Sequence, residues 1–333
     1  MAEAGKKKHS LKEVIGAQIV GNIIGLAIVM VLSILLVIAL SPEHYDRNTV
    51  LGFIACAIPF FTIIHLFMPI YTARVEYIHG ELDLEGITPV EGTGSPLYIW
   101  ELLVPRAFLY GVVMMLIVYL GIKFTHVKIG PTLTGVIAFV AVVITTTPLI
   151  KHFILKDLPS FAAALNASEK SKPVPMGSYL FMEHAFPFMV LQGFINACIA
   201  NRGFPAAAAK IGAENIPIMQ ALIPDFFFTV VIIAFLQWMF SNAQSRCDVR
   251  LGRCDGAGVK KISGWAGVLW VFLFAIIADI AIWIFSLVAG LSGISFHLAL
   301  IFKVAVAGYA VICGAWIGIR FGASREYEMM QGS

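Results

Sequence analysis

Residues 265–289 read WAGVLWVFLFAIIADIAIWIFSLVA, and this stretch decides the fold class. Its only charged residue is Asp279. A helix needs about 20 apolar residues to cross the hydrocarbon core of a bilayer, because each residue adds about 1.5 Å along the axis. Lipid cannot hydrogen-bond to the backbone, so a continuous apolar run of this length indicates an α-helix. The stretch therefore predicts a transmembrane helix.

Seven further apolar stretches of similar length occur along the chain. Together the eight predict an all-α, polytopic membrane protein whose transmembrane helices are arranged as four hairpins. The expected spans are Val14–Leu40, Val50–Ala73, Leu97–Ile122, Pro131–Ile154, Tyr179–Ala200, Ile216–Phe240, Trp265–Ala289 and Phe296–Ile319. The first span follows three lysines but is too long for a signal peptide, so we expect it to be retained.

The composition supports the same class and excludes others. Hydrophobic residues make up 59% of the chain and charged residues 13%, whereas a soluble domain carries about 25% charged residues. The net charge of +3 is spread over the loops and gives no reason to expect nucleic-acid binding. Neither a phosphate-binding glycine loop nor a His-Glu-x-x-His motif is present, and we expect no enzymatic activity.

A proline-rich segment divides the chain near its middle. Residues 157–178 contain three prolines and a polar run, and we interpret them as a cytoplasmic linker between two four-helix halves, 1–156 and 179–333. Pro59-Phe-Phe-Thr62 in the first half has a counterpart in Pro224-Asp-Phe-Phe-Phe-Thr229 in the second. Four helices per half would make any internal repeat parallel.

The distribution of lysine and arginine predicts the orientation. The N-terminus and the loops after even-numbered spans hold 16 of these residues, and the other loops hold five. Cytoplasmic loops carry the excess of positive charge, so we expect both termini in the cytoplasm. The acidic cytoplasmic stretch Val75–Pro96 could dock a protein partner.

Two intramembrane carboxylates lie at nearly the same expected depth. Asp225 lies nine residues from the outer end of its span and Asp279 ten residues from the outer end of the next, which is about 14 Å below the interface. Lys303 enters from the same side and is long enough to reach either carboxylate. Gln192 and Asn196 lie at a similar level. Charged residues in a membrane are costly, so this group is a candidate substrate or ion site.

A second polar group lies in the expected inner leaflet. It comprises His65, Glu101, Arg106, Glu183 and His184. Arg106 is the deepest cation of this group, and we expect Glu101 or Glu183 to neutralise it. Gly21 and Gly25 on the first span are four residues apart, a spacing that predicts a close helix contact.

No metal site and no cofactor are expected. Cys247 and Cys254 share a cytoplasmic loop that holds no histidine or further cysteine to complete a zinc site. Haem is the one cofactor that the histidines leave open, since His65, His152 and His184 all fall in the inner leaflet.

Three functions are compatible with these features. The first is a transporter or channel for a small solute or ion, coupled to protons or cations through the intramembrane carboxylates. The second is a non-catalytic membrane subunit or anchor that docks a partner through its cytoplasmic loops. The third is a redox subunit that holds haem. Proline next to an intramembrane acid, as in Pro224-Asp225, favours the first.

Overall fold

A computed structural model describes residues 9–40, 47–83, 104–125, 129–166, 172–210 and 212–332. Glu101 and much of the acidic stretch therefore lie outside the described residues, as do residues 167–171 of the linker. The helices are α1 (Leu11–Leu40), α2 (Arg47–Ile78), α3 (Val104–Thr125), α4 (Pro131–Leu165), α5 (Met176–Ser178), α6 (Phe186–Lys210), α7 (Ile223–Arg250), α8 (Gly264–Ala289) and α9 (Phe296–Gly332).

Seven membrane-length apolar segments lie in the described helices, in α1 to α4 and in α7 to α9. The prediction of a helical chain with several apolar spans is therefore confirmed. The expected fifth span, Tyr179–Ala200, is not among the seven, because α6 carries Gln192, Asn196 and Asn201 and begins only at Phe186.

Two segments of π-helix interrupt the second half of the chain. Tyr179–Ala185 joins α5 to α6, and Ile218–Leu222 leads directly into α7. π-Helix is rare in proteins and often marks functional sites. The first segment contains the candidate residues Glu183 and His184, and the second ends three residues before Asp225.

Two short strand pairs tie the helix ends together. His9–Ser10 (β1) pairs in parallel with Leu82–Asp83 (β2), so the segment before α1 is fixed beside the end of α2. Ile216–Pro217 (β3) pairs antiparallel with Gly293–Ile294 (β4), which joins the segment before α7 to the segment before α9. The second pair sets the relative height at which α7 and α9 begin.

The helices have similar neighbours in the two halves of the chain, except that α1 also packs on α2 whereas α6 does not pack in this way on α7. In the first half α4 packs on α1, α2 and α3, and α2 also packs on α3. In the second half α9 packs on α6, α7 and α8, and α7 also packs on α8. Contacts of α2 with α6 and α7 join the halves, where the rings of Phe67, Phe188 and Phe240 lie 5.4–6.1 Å apart.

A row of glycines brings α9 against α7. Gly314, Gly318 and Gly322 are spaced four residues apart, and their Cα atoms face the backbone of α7. A methyl group added at Gly318 would come within 2.7 Å of the Trp238 carbonyl oxygen and 2.6 Å of the Ser241 Cβ. Small residues at this spacing allow two membrane helices to approach closely.

The glycines that the sequence selected for close packing, Gly21 and Gly25, do not take part in such a contact. Among the described residues, a methyl group at either position would meet nothing within 4 Å. Both lie on α1, which packs on α2 and α4 through other faces. The expectation of a close contact within the chain at these two residues is therefore wrong.

Candidate functional site

The structure brings Lys303 and Asp225 together within the helix bundle. The Lys303 Nζ donates to the Asp225 Oδ2 at 2.6 Å and also to the Thr229 hydroxyl. The Lys303 side chain is only 2% exposed, and Thr229 and Asp225 are largely buried with it. We call these three residues the α7–α9 triad.

Local backbone structure explains how the triad is assembled. Asp225 lies three residues after the second π segment, Ile218–Leu222, and directly after Pro224, in the first turn of α7. Thr229 is one turn further on and donates its own hydroxyl hydrogen to the Asp225 carbonyl oxygen at 2.7 Å. Its lone pairs are then free to accept from Lys303, which comes from α9.

Sequence reasoning missed Thr229 as a site residue. Its position four residues after Asp225 was the available signal, because residues at this spacing lie on one face of a helix. In membrane helices the threonine hydroxyl commonly donates to a carbonyl oxygen of the preceding turn, so the spacing alone does not mark a site.

Asp279 does not join the triad. It lies half-buried on α8, and no ion pair or hydrogen bond connects it to Asp225 or Lys303 among the described residues. Its Oδ1 atom is buried and has no hydrogen-bond partner in the described part of the chain. Equal depth was therefore not enough to bring the two carboxylates into contact.

Gln192 and Asn196 form a contact within α6 itself. The Asn196 side-chain amide donates to the Gln192 carbonyl oxygen at 2.9 Å, and both side chains are buried. Among the described residues, no hydrogen bond joins either side chain to the triad.

The inner-leaflet group does not form one cluster. His65 on α2 lies 2.9 Å from the Asn22 amide oxygen, and the Asn22 amide nitrogen donates to Thr146 at 3.3 Å. These three residues link α1, α2 and α4. The His65 Nε2 is buried and has no partner among the described residues.

His184 lies in a separate polar group. It is fully buried in the first π segment, and its Nδ1 lies 3.0 Å from the Ser241 hydroxyl. The Gln237 amide donates to the His184 carbonyl oxygen at 2.9 Å. The His184 Nε2, like that of His65, has no hydrogen-bond partner in the described ranges. His152, by contrast, is exposed on α4.

The expected Arg106–Glu183 pair is absent, because Glu183 pairs with a different arginine. The Arg253 Nη2 donates to Glu183 at 2.7 Å, and the Arg253 Nη1 lies 3.5 Å from Asp248. Arg106 is exposed on α3, and the other expected partner, Glu101, lies outside the described residues. Arg253 follows the end of α7, and sequence spacing alone could not show that this loop folds back over Glu183.

Asp248 extends this network to the first π segment and to a thiol. The Tyr179 hydroxyl donates to the Asp248 Oδ2 at 2.8 Å. Burial, together with the Asp248 carboxylate, raises the pKa of the Cys254 thiol to about 12. Cys254 is therefore a protonated, unreactive thiol at neutral pH.

A layer of charged side chains joins the C-terminal ends of four helices, and sequence reasoning did not anticipate it. Arg74 of α2 binds Asp157 of α4 through two hydrogen bonds, of 2.8 and 2.6 Å. Glu326 of α9 is fully buried and is bound by three basic side chains, His79 directly after α2 and Arg246 and Arg250 of α7. Each half therefore has an ion pair between the ends of its second and fourth long helices.

No group of three His, Cys, Asp or Glu side chains within the described residues is arranged to hold a metal ion.

The fold and these polar groups define the class of the protein. Its several apolar helices are those of a multi-pass α-helical membrane protein, with charged groups both within the bundle and at one end. The chain matches no protein-family model, no curated protein and no solved structure.

Proposed function

We propose that this protein transports a small solute or ion across the membrane, and that the α7–α9 triad is its substrate or coupling-ion site. The observation that carries the proposal is the buried ammonium of Lys303, bound to Asp225 and Thr229 within apolar helices. Ionisable residues at such positions cost about 2.5–3.5 kcal/mol each on insertion scales, and they commonly mark ion or proton pathways.

The chemistry of the triad suits an exchange of partners. With Lys303 bound, the charge on Asp225 is neutralised. A proton or cation that reaches the carboxylate would replace the ammonium and release Lys303, whose charge would then need a new partner. The adjoining π segment and Pro224 leave backbone groups beside the pair without regular α-helical bonds, a feature of transporter sites.

The test of this proposal is ion flux in proteoliposomes that enclose a pH-sensitive dye, with imposed sodium or potassium gradients. We expect proton movement above that of empty vesicles. Asp225→Asn and Lys303→Met should each lower it at least tenfold, since each leaves its former partner charged and unpaired.

Lys261→Met is the matched control, because Lys261 pairs with Glu328 at an exposed position outside the bundle. It should transport like the parent protein. If the parent moves no ions, or if both triad variants move them normally, the proposal fails. The subunit or anchor function would then take its place.

We also propose eight spans in four hairpins, with both termini in the cytoplasm and with α5, its π segment and α6 together forming the fifth span. The Lys/Arg asymmetry supports this orientation. The C-terminal ends of α2, α4, α7 and α9 meet in one charged layer. This supports a topology in which these four helix ends lie on the same side of the membrane.

The accessibility of single cysteines to an impermeant reagent in intact vesicles tests this topology. Cysteines at Thr125 and Ser292 should react with an impermeant maleimide from outside, whereas one at Gly258 should react only after permeabilisation. These variants need a background in which the native cysteines are replaced. External labelling of Gly258→Cys together with protection of Ser292→Cys would reverse the orientation.

A further inference from the structure

A cavity of about 330 Å³ lies between α7, α8 and α9. It begins where the rings of Phe285 and Phe302 meet edge to face, with centroids 5.3 Å apart. It ends near Ile277 and Tyr309, where the Tyr309 hydroxyl donates to a backbone carbonyl of α8 at 3.3 Å. Its volume lies at the lower end of the range of small-molecule sites, about 300–1,000 Å³.

The shape of the cavity follows the helix axes. On α8 the lining runs from residue 277 to residue 285, and on α9 from residue 302 to residue 309. At a rise of about 1.5 Å per residue, these segments extend over about 10–12 Å. The cavity is therefore a slot that runs along the direction in which the helices cross the bilayer.

The chemistry of the slot is almost entirely apolar. Three alanines, Ala278, Ala281 and Ala305, leave the space that larger side chains would fill. Among the lining residues the only hydroxyl is that of Tyr309, and it is already bonded to a carbonyl oxygen. Such a lining offers almost no hydrogen-bond partner to an occupant and favours an apolar one.

The slot also opens towards the lipid. Ile277 at its margin is 44% exposed, and α8 packs on the bundle through one face only, so the opening lies on the outer surface of the helices. Acyl chains of the bilayer are the molecules that surround this surface, and they already run parallel to the slot.

We propose that the slot between α7, α8 and α9 binds one acyl chain of a bilayer phospholipid, aligned with the helices. The site is distinct from the α7–α9 triad, and it does not depend on the transport proposal. It is close to the triad in the chain, because Phe302 directly precedes Lys303 and Phe226, another lining residue, directly follows Asp225. An occupied slot would support the two phenylalanine side chains that flank the charged pair.

The site can be tested by photolabelling the whole protein in phosphatidylcholine vesicles. The probe is a phosphatidylcholine with a diazirine in the middle of one acyl chain. After illumination, mass spectrometry of peptides should find labels within residues 277–285 and 302–309. Labelling there should saturate as the fraction of probe rises. Labelling of the lipid-facing helix α3 should rise in proportion to the probe and serves as the internal reference.

Filling the slot should remove the saturable labelling. Ala281→Phe and Ala305→Phe narrow the slot from opposite walls, and each should lower labelling of the two peptides at least fivefold. Ala289→Phe, an exposed alanine at the end of the same helix, should not change it. Melting temperatures of the three variants show whether each is folded.

Three results would overturn the proposal. The slot peptides could label no more strongly than α3 and without saturation, which would mean ordinary surface lipid. Both filled variants could label like the parent. A free fatty acid with the same diazirine could label the slot while the phospholipid does not, which would assign the slot to a different ligand.

Discussion

Replacing Arg74 with methionine should destabilise the protein by about 3–5 kcal/mol, the usual result when one partner of a buried ion pair is removed. Arg74 and Asp157 have side chains that are 5% and 1% exposed, and they are joined by two hydrogen bonds. The guanidinium also lies 4.7 Å from the centre of the Phe161 ring. Arg74→Met would leave the Asp157 carboxylate buried without this cation.

Thermal unfolding in detergent, followed by circular dichroism, measures this effect. The double variant Arg74→Met/Asp157→Leu should recover much of the lost stability, because no charge is then left unpaired. Lys261→Met is the control, since the Lys261–Glu328 pair is more than half exposed and such pairs contribute about 0–1 kcal/mol. Equal melting temperatures for Arg74→Met and Lys261→Met would contradict the buried pair.

The substitution Gly318→Ala should also destabilise the protein, by about 1–3 kcal/mol or more, because it overpacks a close contact. The added methyl group would come within 2.7 Å of a carbonyl oxygen and 3.0 Å of the Asn242 amide nitrogen, both on the backbone of α7. Backbone atoms cannot move aside as a flexible side chain can, so α9 would have to shift away from α7.

Gly121→Ala is the matched control for this second prediction. Gly121 lies inside α3, and a methyl group there would meet nothing within 4 Å in the part of the chain that the structure describes. Alanine favours helix over glycine by about 1 kcal/mol, so this variant should melt at or above the temperature of the parent protein. If Gly318→Ala melts as high as Gly121→Ala, the close approach of α7 and α9 is disproved.

Several features of this fold could be predicted from sequence because they depend on local composition. The apolar segments were found in this way, since the length and apolarity of a segment decide whether it can span a bilayer. For a related reason the sequence indicated that Lys303 could reach Asp225 or Asp279, and the structure shows the contact with Asp225. Counting residues from the ends of spans gives depth, and a long lysine side chain can reach across to a neighbouring helix at its own depth.

Other features depend on which way each helix faces, and residue counts do not give this. Asp279 has the same expected depth as Asp225, but the two carboxylates do not meet. The glycine pair on α1 and the glycine row on α9 have the same spacing, although only the row on α9 lies against another helix. Ion pairs between distant segments, such as Arg253 with Glu183, could not be chosen in advance for the same reason.

The dependence of α7 on α9 has a consequence for biosynthesis. Asp225, Arg246 and Arg250 emerge from the ribosome 76 to 80 residues before the partners that neutralise them, Lys303 and Glu326. During this interval Asp225 lacks Lys303, and Arg246 and Arg250 at the C-terminal end of α7 lack Glu326. Assembly of the second half is therefore completed only after α9 has been inserted. An insertase or chaperone that shields α7 until then would act on the polar face that α9 later covers.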